Sequence, residues 1–173
     1  MASVGDTWNT VAAKWTELHG QIGDTDWDKP STCEGWNVRD VVDHANSWQV
    51  IGGNTLGAEI AEGADWSSIQ PAMAAALADP SNLEGKAEGF GGMPKQGVAG
   101  MVIGDLLVHC WDVARSLGLD ETLPEDAVTS TLMGLQRMPD EVLRSDKMFG
   151  PAIPVADDAS AQDKLLGFVG RQP

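Results

Sequence analysis

Asp105 and His109 stand four residues apart in the run MVIGDLLVHCW. On a helix this spacing sets the two side chains one above the other, with Cβ atoms about 5–6 Å apart. A carboxylate and an imidazole placed in that way can grip one cation between them. The run around them is apolar on nearly every side, and an uncompensated charge there is too costly to bury. Asp105 therefore needs a proton, a basic partner or a cation. A third ligand is available in His44, which shares a stripe with Val38, Val41, Ala45 and Trp48 in another segment. Two imidazoles and a carboxylate form an N,N,O set suited to zinc, nickel or iron(II), with zinc the first expectation. Three protein ligands leave a coordination position open for exchange, the usual arrangement of a catalytic rather than a structural site. The competing reading is a buried ion pair between Asp105 and His109, with His44 a hydrogen-bonded core histidine.

Neighbouring polar residues admit plainer roles. Asp112, three residues after His109, is placed either to orient that imidazole from behind or to pair with Arg115. Asp40 lies one turn before His44, but its spacing from Asn37 already explains it as half of a capping box. Cys110 projects about 100° around the helix from His109 and reads as a small core residue. Cys33 and Cys110 lack metal-type spacing and read as two reduced thiols, which favours a reducing compartment. His19, beside Glu17 and Gly20, reads as a solvated side chain without a role.

The elements that must position these residues are helical. Val4, Trp8, Val11, Trp15, Leu18 and Ile22 alternate at spacings of four and three, the seam of an amphipathic first helix. A polar stretch through Trp27, Pro30 and Gly35 ends at Asn37, where a second helix begins and carries His44. From about Gly52 to Pro94 the pattern loosens into a long connection with one short helical piece near Ile69–Leu77, bounded by Pro80. Gly97 to Leu117 is apolar nearly all round and predicts a central third helix, with Gly118 as its C-cap. Pro124 opens a fourth helix running towards Gln136, and Pro139 opens a short piece ending near Arg144. Phe149 to Val155 reads as extended, with a short helix after Ser160. No internal repeat, low-complexity tract or strand-rich segment interrupts the pattern, so an all-α bundle is expected.

Size and charge bound the function classes. A chain of 173 residues, 42% of them apolar and seven of them tryptophan, suffices for a single domain over 1–173 with its own core. The sequence shows neither an N-terminal signal pattern nor an uninterrupted apolar run of the ~20 residues a membrane span requires, so a soluble, cytoplasmic protein is expected. A formal net charge of −15, from 26 acidic against 11 basic residues, repels phosphate backbones and anionic lipid. A small-molecule substrate is expected, with neither a nucleic-acid nor a membrane partner. Homodimerisation through exposed helix faces stays open.

The runs CEGWNVRDVVDH (33–44) and GDLLVHCWDVARSLG (104–118) resemble the two signatures of the mycothiol-dependent maleylpyruvate isomerase family, within the DinB-like metalloprotein superfamily. The closing segment FGPAIPVADDASAQDKLLGFVGRQP resembles the tail of that family's short, single-domain actinobacterial branch. The resemblance implies an up-down-down-up four-helix bundle with short additional helices. It also implies one divalent metal held by the first motif's histidine and the second motif's acidic residue and histidine, which here are His44, Asp105 and His109. The isomerase has glutamate where this chain has the shorter Asp105. It also carries a further C-terminal domain that contributes to its substrate site, so the resemblance does not carry isomerisation of maleylpyruvate itself over to this chain.

Three function classes follow. In the first, a low-molecular-weight thiol such as mycothiol occupies the open metal position and, as a thiolate, attacks a small electrophile, giving a thiol transferase or isomerase. In the second, the metal activates water or polarises a carbonyl, giving a hydrolase, lyase or cyclase indifferent to thiol. In the third, the bundle binds a metal or small molecule without turnover.

Overall fold

The computed structural model describes residues 2–144 and 148–173. The chain divides into two compact units, Met1–Thr122 and Leu123–Pro173. The first holds α1 (Val4–His19), α2 (Val38–Thr55), α3 (Trp66–Ala78), a two-residue hairpin of β1 (Lys86–Ala87) and β2 (Met93–Pro94), and α4 (Lys95–Leu117). The second holds α5 (Glu125–Leu135), α6 (Asp140–Leu143) and α7 (Ala161–Phe168). The all-α class read from the hydrophobic periodicity is the class observed.

Local chemistry sets the helix ends. At α1, Ser3 Oγ accepts from the Asp6 amide at 3.0 Å and Asp6 Oδ2 accepts from the Ser3 amide at 3.1 Å, a reciprocal capping box. The helix stops at His19, because the Gly20 amide turns back to the Thr16 and Leu18 carbonyls. Ile22, expected as the last member of the stripe, lies in the turn beyond. At α2 the expected box forms, with Asn37 and Asp40 exchanging two bonds of 2.9 Å.

α2 also runs past the point where its sequence pattern loosens, through Gly52 and Gly53. Both glycines are buried because a Cβ at Gly52 would run into Val102 of α4, and one at Gly53 would meet Met73 Sδ of α3 at 2.5 Å. Their poor helix propensity is outweighed by the close approach they allow to both neighbours.

The stretch read as a connection contributes a full helix. Asp65 caps α3 by accepting from the Ser68 amide at 3.1 Å, and the helix extends from Trp66 rather than from Ile69. Its Ala-rich run offers only a weak apolar stripe, which hid its length in the sequence. α4 packs on α1 and α2, and α3 packs on the same two helices, which closes a ring α1–α4–α2–α3. The fourth wall of this ring is therefore α3, while α5 packs with α7 in the second unit.

Aromatic rings and one amide tie the ring together. Trp66 of α3 lies 6.1 Å from Trp8 and 6.3 Å from Trp15 of α1, and its indole N–H donates to Thr16 Oγ1 at 2.8 Å. Gln49 of α2 is fully buried. Its Oε1 accepts from the Trp8 indole N–H at 2.9 Å, and its Nε2 donates to the Val102 carbonyl at 3.0 Å. One side chain thus joins α1, α2 and α4, with both its polar ends satisfied.

α4 is buried over most of its length and ends at Gly118, whose φ of 68° is the left-handed C-cap expected of it. By length and apolarity it could cross a membrane, but most of it is enclosed by the fold. In the second unit, Arg144 donates to the Gly150 and Phe168 carbonyls at 2.9 and 2.8 Å, tying the extended tail to the end of α7.

Replacing Gln49 with Met keeps the volume but orphans the Trp8 indole N–H. This substitution is expected to cost about 1–3 kcal/mol of unfolding free energy, read as a lower urea midpoint. An unchanged midpoint would contradict the bridging role.

Candidate metal centre

α2 and α4 bring the three predicted ligands together. His44 Nε2 lies 3.3 Å from Asp105 Oδ1, and His109 Nε2 lies 3.5 Å from the same oxygen. The two imidazoles meet edge to face with centroids 5.0 Å apart. One ligand atom from each of His44, Asp105 and His109 falls within 4.8 Å of the others. Asp105 Oδ2 is buried without a hydrogen-bond partner. Leaving a carboxylate oxygen so placed costs free energy that a cation would recover, so the residues present fit a small divalent ion.

Exposure falls across the cluster, from 36% for the His44 side chain to 13% for Asp105 and 7% for His109. The site is thus reached from the His44 side. There the half-exposed Trp36 indole lies 5.0 Å from the His44 ring and forms one wall of the approach.

Behind His109, the fully buried Asp112 settles the choice its spacing left open. Asp112 Oδ2 lies 2.8 Å from His109 Nδ1, whereas Arg115 reaches Glu121 at 2.9 Å and lies over the Trp111 ring. With the Nδ1 proton donated to Asp112, Nε2 is the ring nitrogen left to face Asp105, as a proton donor in the metal-free site and as a ligand to a bound cation. Asp112 also accepts from the Thr32 hydroxyl and, at 3.6 Å, from the Cys33 thiol.

Cys33, His109 and Asp112 form a second group compact enough for a metal. A neutral imidazole has a single ring lone pair, so His109 can ligate through Nε2 or Nδ1 but not both. Hydrogen bonds already account for the Nδ1 side, and the orphaned Asp105 oxygen lies on the Nε2 side.

The charges reinforce one another. Burial alone would raise the Asp105 carboxyl, but the imidazoles, His109 foremost, hold it below the usual carboxylate range. Burial alone would lower His109, but Asp105 and then Asp112 push it up to about 9. Burial drives the Cys110 thiol far above its ordinary value, as befits the core residue expected there. His19 is half-buried, with its ring against Trp27 at 5.9 Å, rather than freely solvated, and it lies outside the centre.

Sequence reasoning reached His44, Asp105, His109 and Asp112 but missed Thr32, Cys33 and Trp36. The signal lay in the motif itself, since Cys33 and Trp36 belong to the run CEGWNVRDVVDH that leads to His44.

Fold and site together define an all-α bundle with a histidine and carboxylate centre between two of its helices. Residues 8–84, somewhat under half of the chain, match the family described as the mycothiol maleylpyruvate isomerase N-terminal domain, the family the sequence resembles. The match contains His44 and ends before α4, so Asp105 and His109 rest on geometry. No curated protein and no solved structure matches the chain.

The raised His109 value gives a pH dependence with a definite sign. Its ion pairing stabilises the metal-free fold fully below the unfolded value of about 6.5, and this is lost as pH rises through about 9. Chelator-treated protein is expected to lose up to about 3 kcal/mol across that window in denaturant titrations. His109→Gln should flatten the profile there, and an equal slope in both proteins would contradict the pairing.

Proposed function

We propose that this protein is a metal-dependent enzyme in which His44, Asp105 and His109 hold one divalent ion, zinc foremost, beside an approach walled by Trp36. The observation that carries the reading is the buried carboxylate of Asp105, whose Oδ1 faces two imidazoles while its Oδ2 has no partner. A bound divalent ion lowers the pKa of a coordinated thiol and so supplies a thiolate near neutral pH.

The chain's own groups define the rest. His44 and His109 offer Nε2 lone pairs, and the Asp105 carboxylate contributes the negative charge that balances a cation. Asp112 accepts the Nδ1–H of His109, which fixes the turn of the ring and leaves Nε2 as the nitrogen that would ligate the ion. The exposed flank of His44, with the Trp36 ring beside it, is the side from which a small substrate would approach.

The family match supports a low-molecular-weight thiol such as mycothiol as cosubstrate, acting on a small electrophile by thiol transfer or by addition and elimination. Cys33 and Cys110, neither of them in a disulfide, fit a reducing, cytoplasmic setting. The strongly acidic chain, with net charge −15, disfavours nucleic-acid and lipid partners.

Metal content of the purified protein tests the foundation. About one ion per chain is expected, lost in both His44→Ala and Asp105→Ala, whereas a metal-free wild type that resists reconstitution would remove the proposal. With the loaded protein, consumption of an activated haloarene should require both mycothiol and the ion. Turnover that proceeds equally without thiol would instead make the protein a hydrolase, lyase or cyclase.

A further inference from the structure

The loop between α1 and α2 touches His44 itself and the carboxylate partner of His109. Residues 31–36 are folded back on themselves, with the Ser31 amide donating to the Trp36 carbonyl at 2.9 Å and the Trp36 amide to the Cys33 carbonyl at 3.0 Å. Ser31 Oγ closes the turn by accepting from the Cys33 amide at 3.1 Å. From this one turn, Trp36 lies against His44, while Thr32 and Cys33 reach Asp112, some eighty residues away in sequence, which holds His109.

We infer that Thr32 is a positioning residue for the metal centre, with Cys33 as its auxiliary: their hydroxyl and thiol lock the Asp112 carboxylate so that His109 keeps its proton on Nδ1 and presents Nε2 to Asp105. The chemistry needs such a lock. A carboxylate held by one imidazole alone can rotate about its χ2 torsion, and a buried carboxylate spends less of its lone-pair capacity on that imidazole if its other oxygen must find a partner elsewhere. The Thr32 hydroxyl bonds Oδ1, the oxygen His109 does not use, whereas Cys33 lies against Oδ2. Each carboxylate oxygen is thus tied to the loop, and the plane of Asp112 is fixed relative to the ring. Outer partners of ligating histidines typically govern metal affinity by about 10–100-fold, which gives the expected size of the effect.

This inference deepens the proposed metal site, and it is tested first on metal-free protein so that it stands or falls separately. Thr32→Val keeps the shape and removes the hydroxyl, Thr32→Ser restores a hydroxyl, and Cys33→Ala removes the auxiliary donor. In chelator-treated protein held above about pH 10, where the His109 ring is neutral, its ¹⁵N shifts report which nitrogen carries the proton, a signature that a merely structural loss would not move. Wild type and Thr32→Ser should show the Nδ1–H form. Thr32→Val should show a mixture of ring forms, and Cys33→Ala a smaller change in the same direction.

Cobalt(II) titration of the same proteins should then give an affinity about tenfold weaker for Thr32→Val than for wild type, restored in Thr32→Ser. A Thr32→Val protein with the wild-type ring signature would overturn the inference, whatever its cobalt affinity. Should Thr32→Val fail to fold, Cys33→Ala carries the test, and a wild-type ring signature there overturns it equally. Altered ring forms with no cobalt binding in any protein would uphold the lock and remove the metal proposal instead.

Discussion

The burial of Asp105 is the constraint on which the site depends. A carboxylate in the middle of an apolar helix is tolerated only when something positive or proton-bearing faces it, and here two imidazoles converge on a single oxygen while the other stays unpartnered. The convergence requires α2 and α4 to approach closely. Gly52 against Val102, and Gln49 bonded to the Val102 carbonyl, are what bring them to that separation. A bulky residue at 52 or an apolar one at 49 would act on the centre through the spacing of the two helices.

Polar groups in this unit are organised in layers around that carboxylate. His44 and His109 face it, Asp112 stands behind His109, and Thr32 and Cys33 stand behind Asp112. Each layer limits the freedom of the one inside it, so the imidazole nearest the core is the most rigidly held. His44, at the exposed end, faces Asp105 as His109 does but has the Trp36 ring, rather than a second carboxylate, beside it. The asymmetry suits a centre that keeps one side firm and opens the other to small molecules.

Much of this was legible in the residues. Asp105 and His109 were readable because an i,i+4 pair of chemistry-bearing groups stands out on a helix apolar all round, and His44 because it interrupts an apolar stripe. The caps at Asn37 and Gly118 were readable because they are local. α3 was not, because small alanines leave a faint stripe and the glycines ending α2 resemble a loop until Val102 and Met73 are seen against them. The lock by Thr32 and the bridge by Gln49 were hidden for another reason. Each depends on a partner dozens of residues away, and neither a loop threonine nor a helix glutamine announces a buried role by its spacing.

X-ray absorption at the metal edge of the loaded protein tests the central claim most directly, because it reports the atoms around the ion rather than its mere presence. Two imidazole nitrogens with low-atomic-number oxygen scatterers, and no sulfur from the protein before any thiol is added, is the result expected for His44, Asp105 and His109. A sulfur scatterer with a single imidazole would place the ion at Cys33, His109 and Asp112 instead and contradict the account.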